Sequence, residues 1–243
     1  MKSDDAPMTA SVHWRVFPDR AALAAHAAEL ILASARDAIA VHGQFRLVLA
    51  GGRTPLAVYA QLASARADWP RWHWYVGDER CLPAGDAGRN DSAIRHAWLD
   101  RIAAPPANIH TIPAELGAQA AARQYAALLT GLGEFDLVLL GLGEDGHTAS
   151  LFPGRPLDAS AEVLAVHDAP KPPSERVTLS AARLSRARQV LFLVTGADKR
   201  AAVTAWRAGA DIPARAISGN VQVLLDAEAA PEAPAINPGV APA

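Results

Sequence analysis

The segment "FDLVLLGLGEDGHTASLFPG", residues 135–154, runs from an unbroken apolar stretch into a turn rich in glycine, with Asp145 and His147 at its far end. A buried strand that ends in such a turn carries backbone N–H groups and a polar side chain to the edge of a sheet, where α/β proteins bind ligands. Taken alone, the segment equally fits a structural turn in which backbone groups satisfy His147. "LAGGRTP", residues 49–55, sets Gly51, Gly52, Arg53 and Thr54 between a strand and a helix N-terminus, where free N–H groups and the helix dipole favour an anion. "VGDER" puts Asp78, Glu79 and Arg80 at another strand end, and "TGADK" puts Lys199 in the first turn of a helix. The dipole disfavours a cation there, so an anion is expected to hold Lys199 in place. Glycine turns and charged loops also occur for purely structural reasons. Here, a histidine, acidic residues and several cations converge on strand ends, which suits acid/base chemistry on an anionic small molecule.

These residues need elements to position them, and the chain supplies strands alternating with helices. Asp19 precedes "RAALAAHAAELILASARDAIAVHG", a helix with apolar residues at helical spacing and Gly43 at its C-terminal cap. "FRLVLAGG" reads as a strand, and "TPLAVYAQLASA" as a helix capped by Thr54 with Pro55 in its first position. "WHWYVGDER" leads to "NDSAIRHAWLDRI", and "AELGAQAAARQYAALLTGL" to "FDLVLLGLG"; "EVLAVHD", "RVTLS", "VLFLVTG" with helix "ADKRAAVTAWRAG", and "VQVLLD" complete the pattern. The expected fold is α/β, a mainly parallel sheet with helices on both faces and a small additional β-containing lobe. One domain is expected over 1–226, followed by an Ala/Pro-rich tail, 227–243, with little to bury. The Pro-rich "HDAPKPPSER", with Lys171 and Arg176, reads as a rigid and functional loop.

Several chemistries are set aside. "GLGEDG" matches a dinucleotide fingerprint, but Pro153 and Gly154 stop the long helix that would have to follow it. No G-x-S-x-G elbow, no H-E-x-x-H pair and no cysteine cluster occurs, so neither an acyl-enzyme nor a catalytic metal is expected, and no cofactor. The net charge of −2 gives no footprint for nucleic acid or an anionic membrane. The single Cys81 cannot form an internal disulfide, and "MKSDDAPMTASVHW" lacks the apolar core of a signal peptide. A cytoplasmic monomer acting on a small molecule is the expectation.

Together and in order, "AGGRTP", "GDER", "LGLGEDGHTASLFPG", "PKPPSERVTLS" and "VTGADK" resemble the 6-phosphogluconolactonases, over about residues 14–226. The wider superfamily includes glucosamine-6-phosphate deaminases and has a Rossmann-like fold. The resemblance implies hydrolysis of 6-phospho-D-glucono-1,5-lactone to 6-phosphogluconate, the second step of the oxidative pentose phosphate pathway. Deaminases carry Asn-Glu-Pro where this chain has Leu151, Phe152 and Pro153, so their catalytic glutamate is missing. Arg53 and Arg89 also depart from the "GGSTP" and "SN" forms common among lactonases. On this reading His147 is general base and then acid, and Asp145 is a carboxylate that orients it, their direct contact left open by their close spacing. Asp78 accepts hydrogen bonds from sugar hydroxyls. Backbone N–H groups and Arg80 stabilise the oxyanion, and Arg176 and Lys199, with the Gly51–Thr54 loop, hold the 6-phosphate, Arg53 and Lys171 being the alternatives.

Overall fold

The computed structural model describes residues 12–155 and 160–231. Strand β1 (His13–Phe17) leads into α1 (Arg20–His42), which starts where Asp19 accepts a hydrogen bond from Ala22 N at 2.8 Å and stops where Gly43 turns left-handed at φ 85°. The chain continues through β2 (Phe45–Leu49), α2 (Arg53–Leu62), β3 (Trp72–Val76), β4 (Asp78–Arg80), α3 (Asn90–Ala97), β5 (Ile109–His110), α4 (Ala118–Leu129) and β6 (Phe135–Leu140). It then forms β7 (Val163–Val166), β8 (Arg176–Leu179), α5 (Ala181–Ser185), β9 (Ala187–Val194), α6 (Arg200–Arg207) and β10 (Val221–Asp226). No described helix is long and apolar enough to cross a membrane.

Seven strands pair in the order β1-β10-β9-β6-β2-β3-β5, and every pairing is parallel. The expected small β lobe is the antiparallel sheet β4-β8-β7. All six residues of β6 are buried because both faces of the main sheet are covered. Leu137 and Leu139 pack with Ile31 of α1 and Tyr59 of α2, whereas Val138 and Leu140 pack with Tyr125 of α4 and Trp206 of α6. Each such leucine contributes about 1.5–3 kcal/mol by leaving water.

The chain winds from β2 outward through β3 to β5, then returns to β6 on the other side of β2 and winds outward through β9 to β10. This reversal opens a crevice beyond the carboxyl ends of β2 and β6, the place where open parallel sheets bind ligands.

Two readings of the sequence change. "WHWYVGDER" is not one run: Gly77 divides it, donating to Leu49 O at 2.9 Å while its own carbonyl accepts from Leu179 N at 2.8 Å. Asp78 thereby leaves the main sheet and enters the small one beside the crevice. Thr54 does not cap α2; Gly52 does, at φ 99°, with no side-chain cap. The Thr54 hydroxyl instead meets Thr195 Oγ1 at 2.7 Å, across the crevice. In the Ala/Pro-rich segment, residues 227–231 close onto Asp226, whose carboxylate accepts from Ala229 N at 2.9 Å, and Ala229 is buried. The remainder of that segment, 232–243, lies outside the described residues, as do residues 1–11, on most of which the reading of the N-terminus rests.

Candidate active site

A cavity of about 430 Å³ occupies the crevice. Gly51 and Gly52 line it from the loop after β2, Arg53 and Thr54 from the start of α2, Asp78 and Arg80 from β4, His147 from the loop after β6, Arg176 from β8 and Lys199 from the turn after β9. Asp145 lies behind this wall, against His147.

The turn after β6 is built around the imidazole. Asp145 Oδ1 sits 2.5 Å from His147 Nδ1 and also accepts the His147 backbone N–H at 3.1 Å. Burial opposes ionisation of Asp145, but these contacts with His147 outweigh it and hold the carboxyl below the usual range. A carboxylate at Nδ1 fixes the ring proton on that nitrogen and leaves Nε2 with a free lone pair. Gly143 is glycine for a direct reason: a Cβ there would come within 1.9 Å of His147 Nδ1. The Phe152 ring packs against the imidazole at 5.0 Å. Beyond it the chain doubles back through Ala149, at φ 47°, and Ser150 Oγ donates to Asp78 Oδ2 at 2.7 Å.

Asp78 also receives Asn90 Nδ2, which lies 3.3 Å from Oδ1 and 2.8 Å from the Asp78 carbonyl. Its neighbour Glu79 points the other way and is fully buried. Its carboxylate accepts the backbone N–H groups of Arg80, Asn90 and Asp91 at 2.7–2.8 Å, closing the start of α3. Burial pushes Glu79 up to about 7 against those hydrogen bonds. Arg89, a departure from the common lactonase pattern, is an internal residue rather than a ligand contact. Its guanidinium is buried, meets Glu115 at 2.7 Å, Asp91 at 3.3 Å and Glu79 at 3.7 Å, and donates to Ile112 O at 2.8 Å. Arg89→Ser is therefore expected to cost about 3–5 kcal/mol by leaving Glu79 buried without a counter-ion. Denaturant titration measures this, and a loss below about 1 kcal/mol, the range of an exposed pair, would mean that the cluster contributes nothing net.

Arg80, Arg176, Lys171 and Lys199 also line the cavity. Arg176 is buried and donates through Nε to Pro173 O at 3.2 Å and through Nη2 to Lys171 O at 2.9 Å and Pro172 O at 3.3 Å, so it clamps the Pro-rich loop. Its guanidinium lies over the Phe152 ring at 5.6 Å. Lys199 Nζ is paired within the protein, with Asp198 Oδ2 at 3.1 Å and Glu144 Oε1 at 3.7 Å. Lys171, which also lines the cavity, approaches the same Glu144 oxygen at 3.8 Å. Arg80 donates through Nη1 to Gly88 O at 2.6 Å, and its buried Nε has no hydrogen-bond partner among the described residues.

Sequence reasoning missed several residues of the site. Arg20 donates through Nε to Thr195 Oγ1 at 3.1 Å, which joins Arg20, Thr195 and Thr54 in one polar edge of the cavity. Thr195 follows β9 directly and could have been found as a strand-end residue; Arg20 carried no signal beyond its place after the Asp19 cap. Asn90 lines the cavity itself, and Ser150 reaches it through Asp78. Burial, then Glu175 and Glu79, push the Cys81 thiol up to about 11, so it is protonated at neutral pH. Among the described residues no group of three or more His, Cys, Asp or Glu side chains could hold a metal ion.

Known proteins resemble this chain in sequence and in fold. The family model of glucosamine-6-phosphate isomerases/6-phosphogluconolactonase matches residues 18–225. A 6-phosphogluconolactonase of Mycobacterium tuberculosis is 36% identical over 240 residues, covering 90% of this chain and 97% of that protein. One from Nostoc sp. is 37% identical, covering 89% and 96%. The crystal structure of 6-phosphogluconolactonase from Thermotoga maritima superposes with a TM-score of 0.82 at 28% identity, over 89% of this chain and 99% of that one. With the match running from α1 to β10, and so across every strand end that lines the cavity, this chain belongs to the glucosamine-6-phosphate isomerase/6-phosphogluconolactonase family.

Proposed function

We propose that this chain is a 6-phosphogluconolactonase that hydrolyses 6-phospho-D-glucono-1,5-lactone to 6-phosphogluconate, the second step of the oxidative pentose phosphate pathway, as a cytoplasmic monomer without a cofactor. The observation that carries the reading is the Asp145–His147 pair set in a cavity rimmed by cations. Hydrolysis of the lactone requires a base for water, a donor set for the oxyanion and an acid for the leaving ring oxygen. His147 Nε2 takes a proton from water as the water oxygen bonds to C1. The ionised Asp145 at Nδ1 stabilises the imidazolium that results. When the tetrahedral intermediate collapses, the bond from C1 to the ring oxygen breaks and Nε2 returns its proton to that oxygen. Arg80, which lines the cavity, is the side-chain candidate for the oxyanion, together with backbone N–H groups of the glycine turns.

Asp78, with Ser150 on one carboxylate oxygen and Asn90 on the other, receives the sugar hydroxyls. Arg176, Lys199 and the Gly51–Thr54 loop hold the 6-phosphate, joined by Arg20 and Lys171. Phe152 packs against the His147 ring, where the deaminase pattern carries a catalytic glutamate, and this favours hydrolysis over ring opening and isomerisation. The test is disappearance of 6-phosphogluconolactone corrected for spontaneous hydrolysis, with ammonia release from glucosamine 6-phosphate measured in parallel. Accelerated hydrolysis without ammonia is expected; ammonia release with no acceleration of hydrolysis would overturn the reading.

A further inference from the structure

We infer that Asn90 is a positioning residue of this site: its side-chain amide fixes the Asp78 carboxylate in the orientation that receives the substrate's hydroxyl groups, and position 51 is glycine so that the amide can lie there. The inference deepens the proposed reading and rests on it for the role of Asp78.

Asn90 is held from two sides by consecutive residues of β4. Strand alternation sends Asp78 to the cavity and Glu79 beneath α3. Glu79 grips the main chain, accepting Asn90 N at 2.7 Å and Asp91 N at 2.8 Å, and this fixes where the asparagine side chain begins. Asp78 then receives the amide through its carbonyl and through Oδ1. Only the NH₂ end can face these two oxygens, because the flipped amide would set oxygen against oxygen. The amide oxygen consequently points at Gly51, where a Cβ would come within 2.0 Å of Asn90 Oδ1. Asn90 is 4% exposed and so has no alternative rotamer in solvent. It thus braces the loop after β2 against the first residue of β4.

The consequence for substrate lies on Asp78. An ionised carboxylate offers about four lone-pair directions. Asn90 takes one on Oδ1 and Ser150 one on Oδ2, so the carboxylate can neither rotate nor collapse onto a neighbouring cation, and its remaining acceptor capacity serves ligand O–H groups. Ordering done before the ligand arrives is not charged to binding.

A double-mutant cycle of Asn90→Ala and Asp78→Ala tests this, read by the calorimetric affinity for 6-phosphogluconate and by kcat/KM for the lactone. Asn90→Ala alone is expected to lower both by about tenfold to hundredfold, the range for a hydrogen bond to a charged group. The losses should be equal on phosphorylated and unphosphorylated gluconolactone, since the phosphate end is untouched. In the Asp78→Ala background the same change should cost less than about threefold; full multiplicative losses would overturn the inference. Asn90→Asp separates positioning from packing: it has the same shape but repels Asp78, so it should be worse than alanine, whereas near-normal affinity would show that only shape matters. If Asn90→Ala fails to fold, Gly51→Ala, which drives the amide off Asp78, should reproduce the loss; normal affinity in that variant also overturns the inference. Because the cycle is read in binding as well as turnover, an unmodified chain that binds 6-phosphogluconate without hydrolysing the lactone sinks the proposed reaction and leaves this inference to be decided by the coupling. No binding by the unmodified chain overturns both.

Discussion

Replacing His147 by alanine is expected to lower 6-phosphogluconolactone turnover by about two to four orders of magnitude, the usual effect of removing a general acid/base. The size follows from one imidazole making both proton transfers. Without it, water must attack C1 undeprotonated and the ring oxygen must leave without its proton. Folding should survive, because the side chain lies at the cavity wall, about one-fifth exposed. The nearby turn is held independently by Thr148 Oγ1 donating to Gly141 O at 2.9 Å and by the Thr148–Leu151 bridge. His147→Asn should be equally inactive, since an amide cannot accept and return the proton. Thermal denaturation alongside steady-state turnover makes the check: a folded variant with near-normal turnover would remove His147 from the mechanism and leave it a turn residue satisfied by Asp145.

Those parts of this fold that follow from local pattern were legible in the sequence. The β6 run, the α1 caps at Asp19 and Gly43, and the glycine turns at strand ends each announce themselves within a few residues, and the parallel sheet follows from their alternation. The short edge strands β1 and β5 did not, because pairing rather than hydrophobic pattern defines them; β5 has only Ile109 and His110, set beside Trp74 and Tyr75. Gly77 has the pattern of an ordinary residue of an extended run, although it moves the chain between two sheets, a change that depends on Leu49 and Leu179 far away in sequence. Thr54 has the residue type and place of a helix cap, and Thr195, just after β9, takes its hydroxyl instead. Arg89 departs from the common lactonase pattern in sequence, but its partner Glu115 comes from a different segment, so local pattern does not reveal the buried ion cluster. The lining role of Arg20 was hidden for the same reason: sequence distance from Thr195 conceals spatial contact.

Arg176→Ala should separate the phosphate end of the site from the reacting end. A charge-assisted contact contributes about 1.5–3 kcal/mol, so kcat/KM for 6-phosphogluconolactone should fall about tenfold to hundredfold, mostly through KM. Turnover of unphosphorylated gluconolactone, which offers the guanidinium no phosphate, should hardly change. The two substrates therefore converge. The structure adds a second route to the same loss, because Arg176 spends Nε and Nη2 on the carbonyls of Pro173, Lys171 and Pro172 and so holds Lys171 at the cavity. Lys171→Ala distinguishes the routes. If Arg176 acts only by placing that lysine, the two single variants should lose the same amount on the phosphorylated lactone, and the double variant no more than either. If Arg176 also grips the phosphate through Nη1, which makes no hydrogen bond among the described residues, Lys171→Ala should lose less and the double variant more than Arg176→Ala. Arg176→Lys should rescue little in either case, since a point charge cannot span three carbonyls and a phosphate. Equal losses on phosphorylated and unphosphorylated lactones would instead place Arg176 at the oxyanion or in the fold. The packing of its guanidinium over Phe152, the ring that also supports His147, is what makes that outcome a serious competitor, and Arg20, Arg53 and Lys199 would then be left to hold the phosphate.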